Sequence, residues 1–553
     1  MRASNNAPSK TVAVELVDAL SALGVRYVFG VPSGGWVDYM EALRKTDGIE
    51  FILTTHEGGG AMMADVCGRL GDAPGVCFGT LGPGATNLAT GVGGAMLDRS
   101  PMIAFTDEIP SPMRGRTTQM GIDHQALFAP LTKKTTRLRA EAVKSTLFDA
   151  AQVALCGRPG PVHVGLPLGM SAETAGAEDL AFVPPPPPPA ADPVLLKQAS
   201  DLFSGARKPL LAVGLGAVLA RVETEILALA ETHKIPVVLT PMAKGMLAED
   251  HPSYAGVLFH ALSDMVGETH AQADLVIGVG YDPVEFNYES WLPEGAALIS
   301  FDIEPVDIDT DAHSLAVDAP GDIRASLDAL LALPATPNGW DLGAMAQRRS
   351  AMFARLAPSN QGFGPQGFGP KGALAALRDA LPPDGIMTCD VGAHTHIIGQ
   401  LWATPAPGLQ IMTNGWSTMG FGIPSAIAAK LMYPEKSVCT VVGDGGFLMT
   451  AGEIATAVRY NLNIVIILLT DNELALIRIK QENKGNPIYG TPVRDGGTIG
   501  GDNIFGAAVR TAHGAAELRM ELEAALAADG PVVVEVPIDA GEYDDVVLKN
   551  DRP

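Results

Sequence analysis

The sequence has little positive charge, no long apolar run and no paired cysteines, and each absence narrows the range of functions. Its 553 residues include 38 Lys and Arg against 62 Asp and Glu, a formal net charge of −24. So acidic a chain repels nucleic-acid backbones and anionic membrane surfaces, and we expect neither as a partner. The longest aliphatic run, 464–469, is far shorter than the roughly 20 residues that a membrane-spanning helix needs.

Cysteine usage and the polar N-terminus favour a cytoplasmic protein. The five cysteines form no CxxC pair and are odd in number, which favours buried free thiols in a reducing compartment and argues against a zinc site. Residues 1–10 are polar, and Glu15 and Asp18 interrupt the segment that follows, so we expect no secretory signal. The cysteines are Cys67, Cys77, Cys156, Cys389 and Cys439.

Two proline-rich segments divide the chain into three blocks. Six consecutive prolines at 184–189 cannot continue a helix or a central strand, so they predict an extended linker at 184–191. The segment 335–370 contains the sequence GFGP twice and predicts a second linker. Each remaining block has the length of an ordinary domain. The three blocks are 1–183, 192–334 and 371–553.

Short apolar runs alternate with amphipathic stretches in every block. Examples are 76–78 in the first block, 275–280 in the middle block and 438–442 in the last. This alternation predicts an α/β protein with three domains, each a mainly parallel sheet flanked by helices. Ligands of such folds bind at the carboxyl ends of strands, so glycines and acids that follow a strand are the first candidates for a site.

The sequence VVGDGGF at 441–447 is the most informative segment. A strand ends at its glycines, a helix follows, and the next strand ends just before Asp471. Parallel neighbouring strands place Asp444 and Asp471 at one sheet edge, where two carboxylates and a backbone carbonyl suit Mg²⁺. The glycines let a diphosphate approach N–H groups at a helix N-terminus. The residues of this predicted site are Gly443, Asp444, Gly445, Gly446, Asp471 and Glu473.

A plain βαβ unit with an Asp-Gly turn is the alternative, but the second acid favours a metal–diphosphate site. The segment resembles the diphosphate-binding motif of thiamine diphosphate enzymes. That resemblance implies that Asp444 and Asp471 bind Mg²⁺ through their side chains and Glu473 through its backbone carbonyl. Aspartate at 471, where most members have Asn, is similar to catabolic acetolactate synthases, whereas Thr470 departs from the usual first Asn of the motif.

The sequence HEG at 56–58 follows a predicted strand and resembles the family segment whose glutamate activates the cofactor. The resemblance implies that Glu57 protonates the aminopyrimidine ring, so that the adjacent imine becomes a base. A zinc motif HExxH is excluded because residue 60 is glycine. The structural alternative is a glutamate that stabilises the N-terminal end of a helix.

Three further segments resemble parts of the family that contact the cofactor. They are GPGATN at 82–87, DVGAH at 390–394 and TMGFGIP at 418–424. In the family, the last segment places an aliphatic side chain between the two cofactor rings, which forces a bent shape and brings the imine close to the reacting carbon. The cofactor residues implied by these segments are Gly82, Pro83, Asn87, His394 and Met419.

The resemblance extends from residue 28 to about 537 and is similar in detail to acetolactate synthases. The sequence GYDPVE at 280–285 is similar to the catabolic enzymes, and no two histidines are adjacent as in many simple decarboxylases. We therefore expect decarboxylation of a pyruvate-like 2-oxo acid and transfer of the acyl anion to a second carbonyl. The alternatives are a non-ligating 2-oxo acid decarboxylase, a related C–C lyase with an unusual donor, or a silent paralogue, against which Glu57 argues.

The substrate pocket is where this chain departs most from the family. The loop 31–36 has the length of the family's glycine loop but ends in Trp36, which we expect to narrow or reshape the pocket. Met120 stands where acetolactate synthases have Gln. Arg114 and Arg116 suit either a substrate carboxylate or plain solvation. The candidate substrate residues are Ser33, Gly34, Gly35, Trp36, Gln119 and His124.

A second cofactor and the assembly complete the expectations. The middle block has GLG at 214–216 but Leu219 where a dinucleotide motif needs its third glycine, so FAD is possible but not favoured. The resemblance implies at least a homodimer, with the cofactor held between the first domain of one subunit and the third domain of its partner. Many family members are homotetramers.

Overall fold

The structure is a computed structural model, and its described residues divide into two compact units. Unit 1 consists of residues 1–186, 427–434 and 450–462, and unit 2 consists of 187–426, 435–449 and 463–553. No helix among the described residues has the length and apolarity needed to cross a membrane. The structure describes residues 10–258, 260–285, 292–293, 295–311, 313–358, 368–544 and 546–547.

Unit 1 contains a six-stranded sheet. Its strands are β1 (Tyr27–Gly30), β2 (Glu50–Leu53), β3 (Gly75–Gly79), β4 (Met102–Glu108), β5 (Lys134–Arg137) and β6 (Pro161–Pro167). They pair in the order β2-β1-β3-β4-β6-β5, and every pair is parallel. Every residue of β4 is buried, as expected for a parallel strand covered by helices on both faces.

The helices of this first domain begin at residues suited to that position. His56 caps α3 and Asp123 caps α5 through their side chains, while Pro83 occupies the first turn of α4, where a missing N–H costs nothing. Both α3 and α4 begin within a few residues of the end of a strand. The helices are α1 (Val12–Ala22), α2 (Val37–Lys45), α3 (Glu57–Leu70), α4 (Pro83–Leu97), α5 (His124–Phe128) and α6 (Val143–Leu155).

The middle sheet of the chain belongs to unit 2 and is also parallel throughout. Its strands are β7 (Pro209–Val213), β8 (Val237–Leu239), β9 (Tyr254–Val257), β10 (Leu275–Val279), β11 (Ala297–Phe301) and β12 (Leu315–Asp318). The order is β12-β11-β10-β7-β8-β9. The helices of this region are α7 (Pro193–Gly205), α8 (Leu215–Leu219), α9 (Glu223–His233), α10 (Ser263–His270), α11 (Ile323–Leu331) and α12 (Leu342–Leu356).

The last sheet has seven strands, in the order β14-β13-β15-β16-β19-β18-β17, and only the β17–β18 pair is antiparallel. The strands are β13 (Ile386–Cys389), β14 (Gln410–Ile411), β15 (Val438–Gly443), β16 (Val465–Thr470), β17 (Asn503–Ile504), β18 (Ala507–Thr511) and β19 (Val532–Pro537). The helices are α13 (Pro370–Ala380), α14 (Ala393–Leu401), α15 (Gly422–Met432), α16 (Asp444–Thr450), α17 (Ile454–Arg459), α18 (Ala475–Asn483), α19 (Ala515–Leu526) and α20 (Gly541–Asp544).

The three parallel sheets with flanking helices confirm the predicted fold class. The middle and last sheets share a hydrophobic cluster that includes Leu210 and Val238 as well as Val441 and Val534. This shared core explains why two of the three predicted blocks fall in one compact unit.

The second predicted linker differs in part from the prediction. Its residues 342–356 form α12, which Asp341 caps and which buries Met345, Met352 and Leu356 in the core. An apolar residue recurs on one face of this helix, a pattern hidden by the neighbouring Pro and Gly residues. Residues 359–367, which include the first GFGP sequence, lie outside the described part of the chain. The segment 184–191 forms neither helix nor strand.

Candidate active site

Asp444 and Asp471 lie at the same edge of the last sheet. Strands β15 and β16 are parallel neighbours, and Gly443 pairs with Leu469, so both aspartates follow the end of their strands. Asp444 Oδ2 accepts a hydrogen bond from the N–H of Asn472 at 2.6 Å. Both carboxylates line one cavity of about 110 Å³. The geometry that the sequence predicted for this pair is present.

A buried and a half-buried carboxylate in one cavity favour a cation. Burial, and after it the negative charge of Asp444, raises the pKa of Asp471 to about 7. Burial also raises the pKa of Asp444. No ion pair between either side chain and a Lys or Arg occurs within the described residues. A divalent cation would favour the ionised form of both groups, so the donor set fits Mg²⁺.

The side chain of Glu473, a third residue that lines this cavity, is already bound by an arginine. Its carboxylate accepts a hydrogen bond from Arg478 Nε at 2.7 Å, and Arg478 also contacts Asp544 on α20. The backbone N–H of Glu473 donates to Asp471 Oδ1 at 3.2 Å, which holds the turn close to the aspartate. This arrangement suits a carbonyl ligand, and the metal roles of all three residues stay predictions.

The remaining walls of the cavity suit a diphosphate. His394 is 4% exposed, and its Nε2 has no hydrogen-bond partner among the described residues. Burial lowers the pKa of His394 to about 4, so its imidazole is neutral near pH 7. A Cβ on Gly445 would lie 2.7 Å from Leu474 and 3.0 Å from Met419 Cε. The cavity therefore combines an imidazole nitrogen that lacks a partner with a closely packed glycine backbone. The predicted residues that line it are His394, Met419, Gly443, Asp444, Gly445, Gly446, Asp471 and Glu473.

Asp390 organises this site in a way that the sequence did not reveal. Its carboxylate is buried and accepts N–H groups from Gly420 at 2.9 Å and from Gly422 at 3.3 Å. These bonds fix the turn that carries Met419. Burial raises the pKa of Asp390 to about 6. The DVGAH motif contains this residue, but only a contact with a distant turn shows its role.

Glu57 is the first residue of α3 and lies next to Asn87. Its side chain is 8% exposed, and Oε2 accepts a hydrogen bond from Asn87 Nδ2 at 2.9 Å. A Cβ on Gly84 would approach Glu57 Oε1 to 3.1 Å, so glycine leaves room for the carboxylate. The structure therefore brings the two predicted segments 56–58 and 82–87 together, because the side-chain amide of Asn87 binds the carboxylate of Glu57.

Glu453 holds the backbone that precedes Glu57. Its buried carboxylate accepts N–H groups from Thr55 at 3.2 Å and from His56 at 3.0 Å, and the hydroxyl of Thr456 donates to it at 2.7 Å. A Cβ on Gly59 would lie 2.5 Å from Glu453 Oε1, so this close approach requires glycine. Sequence analysis missed this role because Glu453 is distant along the chain and no local pattern connects the two segments.

A chain of buried hydrogen bonds begins at the turn before α4. The N–H of Gly82 donates to His124 Nε2 at 3.2 Å, and an N–H can only donate. His124 Nδ1 must therefore carry the proton and donate to Thr106 Oγ1 at 2.9 Å, whose hydroxyl then donates to His163 Nε2 at 2.8 Å. We call this chain the histidine relay; its members are Gly82, His124, Thr106, His163, Thr135 and Gln125.

The histidine relay ends at an ion pair between the buried Glu108 and the half-buried Arg137. His163 Nδ1 donates to Thr135 at 2.7 Å, and Thr135 donates to Gln125 Oε1 at 2.8 Å. Glu108 accepts from Gln125 Nε2 and from Arg137 Nε, each at 2.5 Å. Burial lowers the pKa of His124 to about 4 and that of His163 to about 3, so both rings are neutral near pH 7.

A metal site on these residues is the alternative to the relay. Ligand atoms of Glu108, His124 and His163 lie within 4.8 Å of one another. Every ring nitrogen, however, already has a hydrogen-bond partner, and the donor and acceptor roles are consistent along the whole chain. We therefore interpret the cluster as a closed polar network.

The predicted substrate loop after β1 contacts Asp107 at the end of β4. Ser33 Oγ donates to Asp107 Oδ2 at 2.6 Å, and Thr80 Oγ1 donates to the same oxygen at 3.3 Å. A Cβ on Gly35 would lie 2.7 Å from Asp107 Oδ1, whereas one on Gly34 would meet nothing within 4 Å. Burial raises the pKa of Asp107 to about 6. Asp107 is a further residue that sequence analysis missed.

The other three candidate substrate residues, Trp36, Gln119 and His124, lie in different surroundings. Trp36 is 1% exposed and packs in the core of unit 1, with its ring centroid 3.9 Å from that of Phe78 and 5.2 Å from that of Tyr39. This packing gives Trp36 a core role, where the sequence suggested a residue that shapes the pocket. Gln119 is exposed on its loop, and His124 is a member of the histidine relay. None of these placements tests substrate binding.

The glycine loop of the middle domain does not fit a flavin diphosphate. A Cβ on Gly214 would lie 2.6 Å from the carbonyl oxygen of Gly280, so these glycines serve close packing of two loops. The N–H of Leu215, at the start of α8, donates to the buried carboxylate of Glu285 at 2.8 Å. A phosphate would have to displace that carboxylate from the helix N-terminus.

Family models of thiamine pyrophosphate enzymes match the chain three times: the N-terminal TPP binding domain at residues 10–127, the central domain at 196–330 and the C-terminal TPP binding domain at 390–536. Each match lies inside one of the three predicted blocks.

Three known proteins are similar to this chain over most of its length. A probable acetolactate synthase large subunit of Methanocaldococcus jannaschii is 32% identical over 480 residues, which cover 84% of this chain and 80% of the relative. The large subunit of acetolactate synthase isozyme 2 of Escherichia coli is 30% identical, with 95% of each chain covered. A probable 2-ketoarginine decarboxylase of Pseudomonas aeruginosa is 31% identical, with 96% of this chain and 94% of the relative covered. The chain therefore belongs to the thiamine pyrophosphate enzyme family and, within it, is acetolactate synthase-like.

Proposed function

We propose that the protein decarboxylates a small 2-oxo acid on thiamine diphosphate and transfers the resulting acyl anion to a second carbonyl compound. The observation that carries the proposal is that a chain similar to acetolactate synthases over its length retains a buried Glu57 held by Asn87. A silent paralogue would have no need of that acid. The pair Asp444 and Asp471 supports the same proposal from the other half of the cofactor.

The chain supplies the groups that hold and activate the cofactor. When bound, thiamine diphosphate supplies an acidic carbon that adds to the keto group and a ring that accepts the electrons of the lost carboxylate. Asp444, Asp471 and the carbonyl of Glu473 would hold Mg²⁺, and the N–H groups at the start of α16 would bind the diphosphate. Glu57 would supply the proton that activates the aminopyrimidine ring.

Hydrogen bonds fix both the carboxylate of Glu57 and the backbone that precedes it. Asn87 donates to Oε2 and leaves Oε1 as the oxygen that can exchange a proton. Glu453 accepts the N–H groups of Thr55 and His56, and these hydrogen bonds fix the backbone that leads into α3 and carries Glu57. Burial removes competing water from the carboxylate.

Product analysis separates carboligation from simple decarboxylation. The similarity to a probable 2-ketoarginine decarboxylase gives the second activity specific support. We would incubate the protein with pyruvate, thiamine diphosphate and Mg²⁺ and analyse the products by NMR. Acetolactate or acetoin supports carboligation, acetaldehyde alone supports the decarboxylase, and no cofactor-dependent loss of pyruvate or of any other 2-oxo acid would contradict both.

We further propose a homodimer or homotetramer in which the first domain of one subunit and the last domain of its partner hold the cofactor. Apolar side chains next to the aspartate pair support a covered surface: Leu448 is 55% exposed, Met449 61% and Ile477 44%. Uncovered patches of this kind are typical of interaction surfaces. Light scattering after size exclusion measures the assembly.

Mixing two inactive variants tests where the active site is assembled. Glu57→Gln and Asp444→Ala subunits, unfolded together and refolded, form mixed dimers with one intact site if the site spans two subunits. About a quarter of the wild-type activity should then return, because half of the dimers are mixed and each has one intact site of two. No recovery, with mixed dimers present by mass spectrometry, would contradict a shared site.

The compartment also stays a proposal. All five cysteines are free, and four of them are buried. Free thiols support the reducing, cytoplasmic location that the sequence suggested. Fractionation of cells that produce the protein with an epitope tag would test it, and recovery outside the cytoplasmic fraction would contradict it.

A further inference from the structure

Unit 1 contains a pocket of about 440 Å³ between the end of β4, the segment 113–123 and β5. Its volume suits a small organic acid. Its lining includes three arginines and two acids, a local excess of positive charge in a chain with a net charge of −24. We call it the arginine pocket; its ionisable lining residues are Glu108, Arg114, Arg116, Asp123, His124 and Arg137.

The arginine pocket adjoins the turn that we assign to the cofactor. A Cβ on Gly82 would lie 2.6 Å from the carbonyl oxygen of Met120, so the segment that carries the two loop arginines packs directly on this turn. His124, in the pocket wall, accepts the N–H of the same glycine at 3.2 Å. From Gly82 the chain continues into α4 and reaches Asn87, the partner of Glu57.

The charges in the pocket leave two arginines for a ligand. Glu108 is saturated by Arg137 and Gln125. Asp123 caps α5 through the N–H of Ala126, and its Oδ1 lies 4.0 Å from Arg137. The acids thus face Arg137, which is held in the wall, whereas Arg114 hydrogen-bonds only to the hydroxyl of Ser111 among the described contacts. His124 adds no charge near pH 7 because burial lowers its pKa to about 4.

We propose that the arginine pocket binds a second anionic group on the donor 2-oxo acid, at the end of the molecule distant from its keto group. A carboxylate, sulfonate or phosphonate at that end accepts two parallel hydrogen bonds from a guanidinium. A donor with an uncharged alkyl end offers no such partner to Arg114 and Arg116. This inference rests on the proposed function, and it names the class of donor that the active site takes.

Steady-state kinetics with matched donors test the proposal. We would compare 2-oxobutanoate, whose end is uncharged, with 2-oxoglutarate, 3-sulfopyruvate and 3-phosphonopyruvate on the holoenzyme, and measure CO₂ release. We expect kcat/KM to be at least about 10-fold larger for one dianionic donor than for 2-oxobutanoate, as one lost charge-assisted hydrogen bond costs roughly 10- to 100-fold.

Variants separate this pocket from its surroundings. Arg114→Gln with Arg116→Gln should raise KM for the preferred dianionic donor by about 10-fold or more and change kcat/KM for 2-oxobutanoate by less than about 3-fold. The matched control is Arg139→Gln, because Arg139 lines the neighbouring cleft but not this pocket. Arg137 is left unchanged because its loss would leave the buried Glu108 carboxylate unpaired.

A binding measurement keeps the test independent of turnover. Calorimetric titration of the cofactor-loaded protein with 3-phosphonopropanoate, which cannot react, should show binding that weakens at least about 10-fold in the double variant and not in Arg139→Gln. The proposal is overturned if the wild type prefers 2-oxobutanoate, or if the double variant affects all donors and the probe no more than the control does. If the wild-type protein turns over none of the donors, pyruvate included, that result would instead contradict the proposed function.

Discussion

Polar groups at the strand ends of the first sheet are hydrogen-bonded to one another, whereas several of those at the strand ends of the last sheet lack protein partners within the described residues. At the first, the histidine relay gives each donor an acceptor and ends at a paired carboxylate. At the last, Asp444 and Asp471 share a cavity and form no ion pair with a Lys or Arg within the described residues, although the charge of Arg494 acts to lower the pKa of Asp444. His394 Nε2 has no hydrogen-bond partner within the described residues.

This contrast shows what each region is built for. A closed hydrogen-bond network fixes geometry, because any displacement leaves a buried polar atom unpaired. An open cluster of like charges is costly until something from outside completes it. We therefore expect changes in the open cluster to abolish ligand binding, and changes in the closed network to alter stability and, through the turn at Gly82, activity.

The largest effect should follow loss of a carboxylate from the open cluster. We expect Asp444→Ala or Asp471→Ala to weaken Mg²⁺-dependent cofactor binding by about 100-fold or more, since removing one partner of a buried charged site costs roughly 3–5 kcal/mol. Calorimetric titration with thiamine diphosphate, with and without EDTA, measures this loss. Asp495→Ala, an exposed aspartate of unit 2, is the control. Wild-type affinity in both variants would remove the metal role.

Glu57→Gln should separate activation from binding. The amide keeps the size of the side chain and its contact with Asn87 but cannot exchange a proton, so turnover should fall by about 100- to 10,000-fold. Cofactor affinity should change little, because the diphosphate is held at the other cluster. The measurement pairs steady-state kinetics with titration, and Glu50→Gln, exposed on β2, is the control. Equal loss of affinity and activity would make Glu57 a structural residue.

Thr106→Val removes one hydroxyl from the histidine relay and leaves the size of the side chain almost unchanged. Two buried ring nitrogens, one on His124 and one on His163, lose their partner, and we expect the free energy of unfolding to fall by about 2–5 kcal/mol. Activity should also fall, because His124 positions the turn at Gly82. Urea unfolding and kinetics measure the two effects, with Thr224→Val on the surface of α9 as the control. Unchanged stability would show that the relay is not a connected unit.

The open cluster was predictable from the sequence, and the closed one was not. The alternation of strands and helices implies parallel neighbours, and parallel neighbours put Asp444 and Asp471 at one edge whatever the loops do. Glu57 and Asn87 were each visible through a short motif. Their contact followed only from the fold, because it joins two helices.

Contacts between distant segments carry no local signal. Glu453 supports the residues before Glu57 from a segment far along the chain, and the relay joins residues of α5, β4 and β6 whose types are ordinary for a core. Trp36 shows the same limit: the sequence suggested that a large residue in a glycine loop shapes the pocket, whereas the structure packs its ring against Phe78 in the core. Side-chain direction at a loop is set by packing that the sequence does not display.

We expect the smallest effect in the way the free energy of unfolding depends on pH through His124 and His163. Burial holds the pKa of His124 at about 4 and that of His163 at about 3, while in the unfolded chain both take up a proton as the pH falls through about 6.5. Their contribution to stability is thus complete above pH 6.5 and is lost as the pH falls from about 6.5 to 4. Asp107, with its pKa raised to about 6, acts in the opposite sense, because its folded form favours the proton.

A variant isolates the histidine contribution from these opposing groups. His163→Gln keeps a donor and an acceptor for Thr106 and Thr135 but does not titrate. Its free energy of unfolding should therefore fall less steeply than that of the wild type between pH 6.5 and 4. Urea unfolding at several pH values measures both slopes, with the exposed His513→Gln as control. Equal slopes for His163→Gln and the wild type would mean that His163 is protonated in the folded protein, in conflict with the direction of the relay.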